Sequence, residues 1–427
     1  MRLAAALGAR LGLCTWLGRK RVLAYAGTLL AMELATFLFL VAGTHGLIVP
    51  SGQPTTTDFA SFYAAGALAD GGAPAAAYDQ AKHYAAEEQV TAPGIGYQFF
   101  FYPPVYLLLC AALARLPYLV AFVAFEAATL VLYLLVARRT LDEPGWAAIL
   151  PILAFPSVFW TMGLGQNAFL TAALFGAALL LIDRRPVRSG VLFGLVCYKP
   201  HLGLLIPIAL VAGRRWQAFL AAAATAALLV MASVLLFGWT TWRDYLALAA
   251  GSGATYESGR IDFAGFVNLF GGIRLLGGSP YLAYAAQGVI TLIGAVLVIF
   301  VWRRNLSLPV RAAALAAAAV AAAPVALLYD LMLAAIAGTW LVRAARQGGF
   351  LPWEKITLAT LFILPLFMRN VGTAWHVPLG PLLPLALLAL VYARARREIT
   401  EPIADAALDA AAIRDLGRKL VPYLGGA

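Results

Sequence analysis

Charge is scarce in this chain: 12% of its 427 residues are Asp, Glu, Lys or Arg, against 63% hydrophobic, and the mean hydropathy is +0.84. That shortage excludes a single soluble domain, whose water-facing surface could not cover so much apolar side chain. Cysteine is nearly absent as well. Cys14, Cys110 and Cys197 lie in or beside apolar stretches with no metal-ligand spacing, which argues against a disulfide framework or a zinc site. The chain also lacks an internal repeat and a Gly/Ser linker, so one membrane domain is expected over residues 1–397, followed by a cytoplasmic amphipathic tail over 398–427. Acids do not gather at one place in the sequence. Neither a metal nor another cofactor is expected.

What the chain does have is apolar blocks such as Val22 to Gly43, Pro117 to Ala137, Gln217 to Gly238 and Tyr281 to Trp302. Each approaches the roughly 20 residues a helix needs to cross hydrocarbon. The expected fold is an all-α polytopic membrane bundle of roughly ten to twelve transmembrane helices, some broken or re-entrant. The block after Arg19, Lys20 and Arg21 is too long for a signal-peptide core and reads as an uncleaved anchor. Tyr102 to Arg115 is apolar but short, and fits a partly inserted half-helix. Val191 to Gly213 carries Tyr198, Lys199, Pro200 and His201 at its middle, and reads as a hairpin of two short or broken helices.

The net charge of +11 comes from Lys and Arg in short links between apolar blocks rather than from a soluble face. The pattern sets topology and implies no nucleic-acid partner. With the clusters at Arg19 to Arg21, Arg138 and Arg139, Arg184 to Arg188, Arg214 and Arg215, Arg303 and Arg304, Arg343 and Arg346, and Arg394 to Arg397 inside, both termini are cytoplasmic. Residues 44–98, the turns at Gly165 to Asn167, Tyr198 to His201 and Tyr329–Asp330, residues 239–263 and the stretch Arg369 to His376 then share the outer side. This is the pattern of a multi-pass protein of the bacterial inner membrane, with its outer links facing the periplasm or exterior.

Polar residues in these links need a reason. Thr57 or Asp58 can cap a helix that puts Phe59, Phe62, Tyr63 and Gly66 on one face. Asp58 is therefore either an N-cap or a general base, since a carboxylate partly desolvated by aromatics can take a proton from an acceptor hydroxyl. Lys199 and His201 are costly among membrane helices. They read as a snorkelling lysine with an interfacial histidine, or as a site where an ammonium and an imidazole meet a lipid phosphate. Gln166 and Asn167 make either an ordinary turn or amide contacts to sugar hydroxyls. Asp330 is a cap or a second acid. Arg260 and Arg369 break the positive-inside pattern and are candidates for anionic groups, whereas His45 and His376 read as solvated.

In order, Asp58-Phe59-Ala60-Ser61-Phe62-Tyr63-Ala64-Ala65-Gly66, Phe101-Tyr102-Pro103-Pro104, Gly165-Gln166-Asn167, Lys199-Pro200-His201 and Tyr329-Asp330 resemble family 87 glycosyltransferases, the group with polyprenol-phosphate-mannose-dependent mannosyltransferases. The resemblance runs from about Val22 to Arg397. It implies a GT-C membrane fold, a polyprenyl-phosphate sugar as donor, mannose above other sugars, a lipid or glycan acceptor, and inversion at the anomeric carbon. By the same resemblance Asp58 is the catalytic base, Lys199 and His201 the donor-phosphate region, and Tyr102, Gln166, Asn167 and Asp330 stand at family positions; these four, with Tyr63 beside Asp58 on its helix and Arg260 from the charge pattern, are the substrate-binding candidates. A transporter or flippase of a lipid-linked or anionic substrate is the alternative, which inverted repeats would favour.

Overall fold

The computed structural model describes residues 14, 16–50, 57–143 and 145–401. Thr55, Thr56 and residues 402–427 of the expected tail lie outside them. Every regular element among the described residues is helical; the β-pairing is limited to two isolated bridges, His45 with Ile48 and Phe266 with Leu327.

Five helices are long and apolar enough to cross a membrane: Arg19–Ala42, Tyr118–Leu141, Trp216–Glu257, Pro280–Arg303 and Leu328–Gly348. A sixth span is possible if the pair Glu354–Leu366 and Met368–Trp375, bent by 64°, is counted as one. Full crossings alone do not reach the roughly ten to twelve transmembrane helices expected, a count that includes broken or re-entrant ones. The cause is in the sequence. Five further apolar helices of 10–17 residues stop short, because prolines, glycines and polar residues interrupt them where the candidate site residues stand.

The helices that position the site are α1 (Arg19–Ala42), α2 (Thr57–Asp70), α3 (Gln80–Val90), α4 (Pro104–Ala114), α5 (Tyr118–Leu141), α6 (Ser157–Leu164), α7 (Ala168–Leu181), α8 (Pro186–Leu195), α9 (Pro200–Gly203), α10 (Trp216–Glu257), α11 (Pro280–Arg303), α12 (Leu308–Ala322) and α13 (Leu331–Gly348). The described part of the loop between α1 and α4 is largely helical, through α2, a 3-10 turn and α3. On α2, Phe59, Phe62 and Gly66 are buried and Tyr63 is half-buried. Helix α4 has the expected half-helix length and lies against α2. A Cβ added at Gly66 would stand 2.1 Å from the Cys110 carbonyl oxygen, so only glycine permits this approach.

Gly190 and Gly194, one helical turn apart on α8, let α10 approach in the same way; added Cβ atoms would meet the Ala218 and Ala222 carbonyls at 2.3 and 2.6 Å. The block expected to end at Gly238 continues as helix to Glu257 through a kink, where Gly238 takes φ 79° and ψ 159°. Helix α12 is buried on all faces from Pro309 to Ala322, and its alanines admit α11 and α13 closely.

The basic links find acidic partners. Glu143 accepts from Arg19 at 2.6 Å and Arg346 at 2.5 Å, Arg343 reaches Asp142 at 3.0 Å, and Asp183 holds Arg215 and Arg311 at 2.6 Å each. Arg394 pairs with Glu354 in a buried setting. Helix ends far apart in sequence are thereby clamped together. Helix Leu382–Thr400 runs three residues past the expected boundary at 397.

Candidate active site

Four chain breaks bring polar side chains to one place, and each break has a local cause. Gly165 ends α6 in the left-handed region (φ 67°), which glycine enters without a Cβ penalty. Gln166 and Asn167 then bridge directly to α7. Lys199 lies at φ −122° and ψ 70°, outside helical space, because Pro200 opens α9 and disfavours helical geometry in the residue before it. Leu327 is extended, and a 3-10 turn, Leu328–Asp330, starts α13. Pro103 and Pro104 end the aromatic stretch before α4 and leave Tyr102 in extended chain.

Asp58 stands in the first turn of α2, fixed by Phe59, whose ring packs on Tyr118, Phe122 and Phe125 at 5.5, 5.4 and 6.0 Å. Gln166 Nε2 donates to Asp58 Oδ2 at 3.0 Å. The Gln166 oxygen accepts from the Tyr102 hydroxyl at 3.1 Å and from the Asn167 amide at 2.7 Å, so the Gln166 amide has a single workable orientation. Burial raises the Asp58 carboxyl to about 6; the Gln166 hydrogen bond and the Lys199 charge pull it down, while Asp330 pushes it up. A carboxylate poised there can take a proton near neutral pH.

Lys199 and Asp330 are buried and paired at 2.9 Å, with the Lys199 ammonium 5.1 Å from the centre of the Tyr329 ring. The other Asp330 oxygen accepts from the Leu327 amide at 3.1 Å, so Asp330 is both a cap and a counter-ion. An ammonium has three donors, and Asp330 takes one. His201, half-buried one residue beyond Pro200, feels the charges of both Lys199 and Asp330. The Asn167 side chain is buried within reach of Tyr102 and Tyr106 but makes no hydrogen bond of normal geometry.

Asp58, Tyr102, Gln166, Asn167, Lys199, His201 and Asp330 thus converge. Tyr63 does not join them, because its hydroxyl donates to the Leu116 carbonyl at 2.7 Å on the other side of α2. Arg260 is exposed just past the end of α10, and Arg369 pairs with Asp262 at 3.2 Å on the surface. Sequence reasoning missed Tyr106 and Thr171. Tyr106 packs on Tyr102 with ring centres 4.6 Å apart; Tyr102 precedes α4, so no helical spacing signals the contact. Thr171 bonds the Tyr198 hydroxyl at 2.6 Å. Its spacing of four from Asn167 could have signalled it.

Apolar helices of spanning length and a carboxylate–amide–ammonium cluster at the breaks between shorter ones define a multi-pass membrane protein with a polar reaction site. The chain belongs to glycosyltransferase family 87, whose family model matches residues 100–329 and makes it a membrane glycosyltransferase. That match takes in Tyr102, Gln166, Asn167, Lys199 and His201, ends at Tyr329, and leaves Asp58 and Asp330 outside. No curated protein and no solved structure matches the chain.

Proposed function

We propose that the protein transfers a sugar, mannose above others, from a polyprenyl-phosphate donor to a hydroxyl of a lipid or glycan acceptor, with inversion at the anomeric carbon. The observation that carries this reading is the convergence of Asp58, held by Gln166, with the Lys199–Asp330 pair. Asp58 takes the proton of the acceptor hydroxyl as its oxygen attacks C1. The bond from C1 to the phosphate oxygen breaks, its electron pair leaves with the polyprenyl phosphate, and the two free Lys199 donors with His201 stabilise that charge. Asn167 and Tyr102 are well placed to contact sugar hydroxyls, while the polyprenyl chain stays among membrane lipids.

The same reading extends to topology. With the shorter helices counted as broken crossings that turn back at the site, the bundle reaches the ten to twelve passes of a GT-C-like fold, both termini in the cytoplasm and the site on the outer face of a bacterial inner membrane. The pairing of basic links with one another's acidic neighbours supports this sidedness. Purified protein incubated with a panel of radiolabelled polyprenyl-phosphate sugars and a total lipid extract tests the function. Label should move from the mannosyl donor into a new product; transfer from nucleotide sugars alone would overturn the reading.

A further inference from the structure

The first outer loop contains a buried pair that the reaction above does not use. His83 and Glu87 lie one turn apart on α3, both with fully buried side chains. His83 Nε2 lies 3.1 Å from the Ser61 carbonyl oxygen, which can only accept, so Nε2 carries hydrogen and donates. The other ring nitrogen, Nδ1, faces Glu87 Oε1 at 3.6 Å. Glu87 Oε2 accepts from the Gln98 amide at 3.0 Å.

These contacts join two pieces of the site. Ser61 is three residues beyond Asp58 on α2, and Gln98 lies in the helix-free segment before α4, which also holds Tyr97 and Tyr102. The His83 ring also packs on Phe100 at 5.8 Å, and Phe100 on Tyr102 at 5.6 Å. Nδ1 of a neutral imidazole and Oε1 of a carboxylate are both acceptors. Buried face to face they repel, whereas with a single proton on the carboxyl the two can close from 3.6 Å to hydrogen-bond distance.

We propose that the His83–Glu87 pair is the positioning brace that keeps Asp58 and Tyr102 in register for sugar transfer, and that it requires one proton held between imidazole and carboxyl. The inference rests on the transfer reaction proposed above. Burial raises Glu87 to about 8, with the Gln98 amide bond pulling against it and the nearby Asp58 charge adding to it, and burial lowers His83 to about 4, so at neutral pH the proton sits on Glu87. The other titratable groups around Glu87 are Asp58 from α2, Tyr97 from the helix-free segment, Asp79 at the start of α3, and Tyr84 and Glu88 on α3 itself. Burial raises Tyr97 far above this range. Glu87 is therefore the group that loses its proton near pH 8.

Glu87→Gln separates the brace from ordinary packing. Its amide nitrogen donates to His83 Nδ1 at any pH while its oxygen still accepts from Gln98. Amide hydrogen exchange of the full chain in detergent, corrected for the intrinsic pH dependence of exchange, reads the brace without any turnover and so can fail independently of the transfer reaction. Between pH 7 and pH 9 the backbone amides of α3, which carries both His83 and Glu87, should lose protection by roughly tenfold in the wild type and keep it in Glu87→Gln. In transfer assays the alkaline fall of kcat near pH 8 should vanish in the same variant, with activity at pH 7 retained. Equal loss of α3 protection in both proteins, or an alkaline limb unchanged by Glu87→Gln, would overturn the proposal.

Discussion

Lys199 and Asp330, 131 positions apart, form a buried ion pair at 2.9 Å within the electrostatic reach of Asp58. Lys199 is therefore not a lone cation. Removing either partner strands a buried charge, which typically costs about 3–5 kcal/mol. Lys199→Met and Asp330→Asn should each lower the unfolding temperature, and the double variant should recover much of that loss. Donor affinity should still fall by roughly tenfold to a hundredfold in the double variant, because the phosphate has lost its charge-assisted donors. Thermal unfolding in detergent with a donor-binding titration measures both.

Gly66→Ala should be as damaging as a site mutation although it touches no substrate. The added Cβ meets Cys110 backbone, at 2.1 Å from oxygen and 2.4 Å from carbon, and backbone cannot step aside. Pushing α2 off α4 should cost about 1–3 kcal/mol or more, with a lowered unfolding temperature and reduced transfer together.

The sidedness is tested by single cysteines placed in a background lacking the three native ones. A cysteine at Ser258, exposed at the end of α10, should react with a membrane-impermeant maleimide applied from outside to spheroplasts. One at Gln347, exposed at the end of α13, should react only after the membrane is opened. Reversed labelling would place the cluster on the wrong face for a polyprenyl-phosphate donor displayed outside.

These expectations show which features a sequence can reveal. Asp58, Gln166, Lys199 and Asp330 were recognisable because polar side chains among apolar blocks carry a cost that demands a partner or a purpose. Their partners were not recognisable. Nothing local links Lys199 to Asp330, or Arg311 to Asp183 across 128 positions; folding alone makes these neighbours. Hydropathy counted apolar stretches, yet it could not tell a full crossing from α4 or α7, whose lengths are set by Pro104 and by the turn at Gly165. At Gly238 it ended a block that continues as a kinked helix. Tyr63 shares a hydrophobic helix with Asp58, and only the turn of α2 sends its hydroxyl away from the cluster.

The acid limb of the pH profile should belong to Asp58. Its carboxyl is raised from 3.8 to about 6, so transfer should rise with pH through about 6 as the base ionises. The stability sign is opposite to that of a salt-bridged acid. Keeping Asp58 protonated stabilises the fold fully below 3.8, and this contribution is lost as pH rises through about 6. Gln166→Ala removes the hydrogen bond that lowers the value, so the limb of kcat against pH should move to higher pH.

Asp58→Asn tests most directly whether this carboxylate is the base. The amide keeps the side chain's size, and its oxygen can still accept from Gln166 Nε2, so the fold and donor binding should survive. It cannot take a proton at neutral pH. Initial rates of transfer from radiolabelled polyprenyl-phosphate mannose, measured on protein that unfolds at the wild-type temperature and binds donor normally, should fall by about a hundredfold to ten-thousandfold. A folded, donor-binding Asp58→Asn protein that transfers sugar at close to the wild-type rate would contradict the assignment and make Asp58 a structural residue.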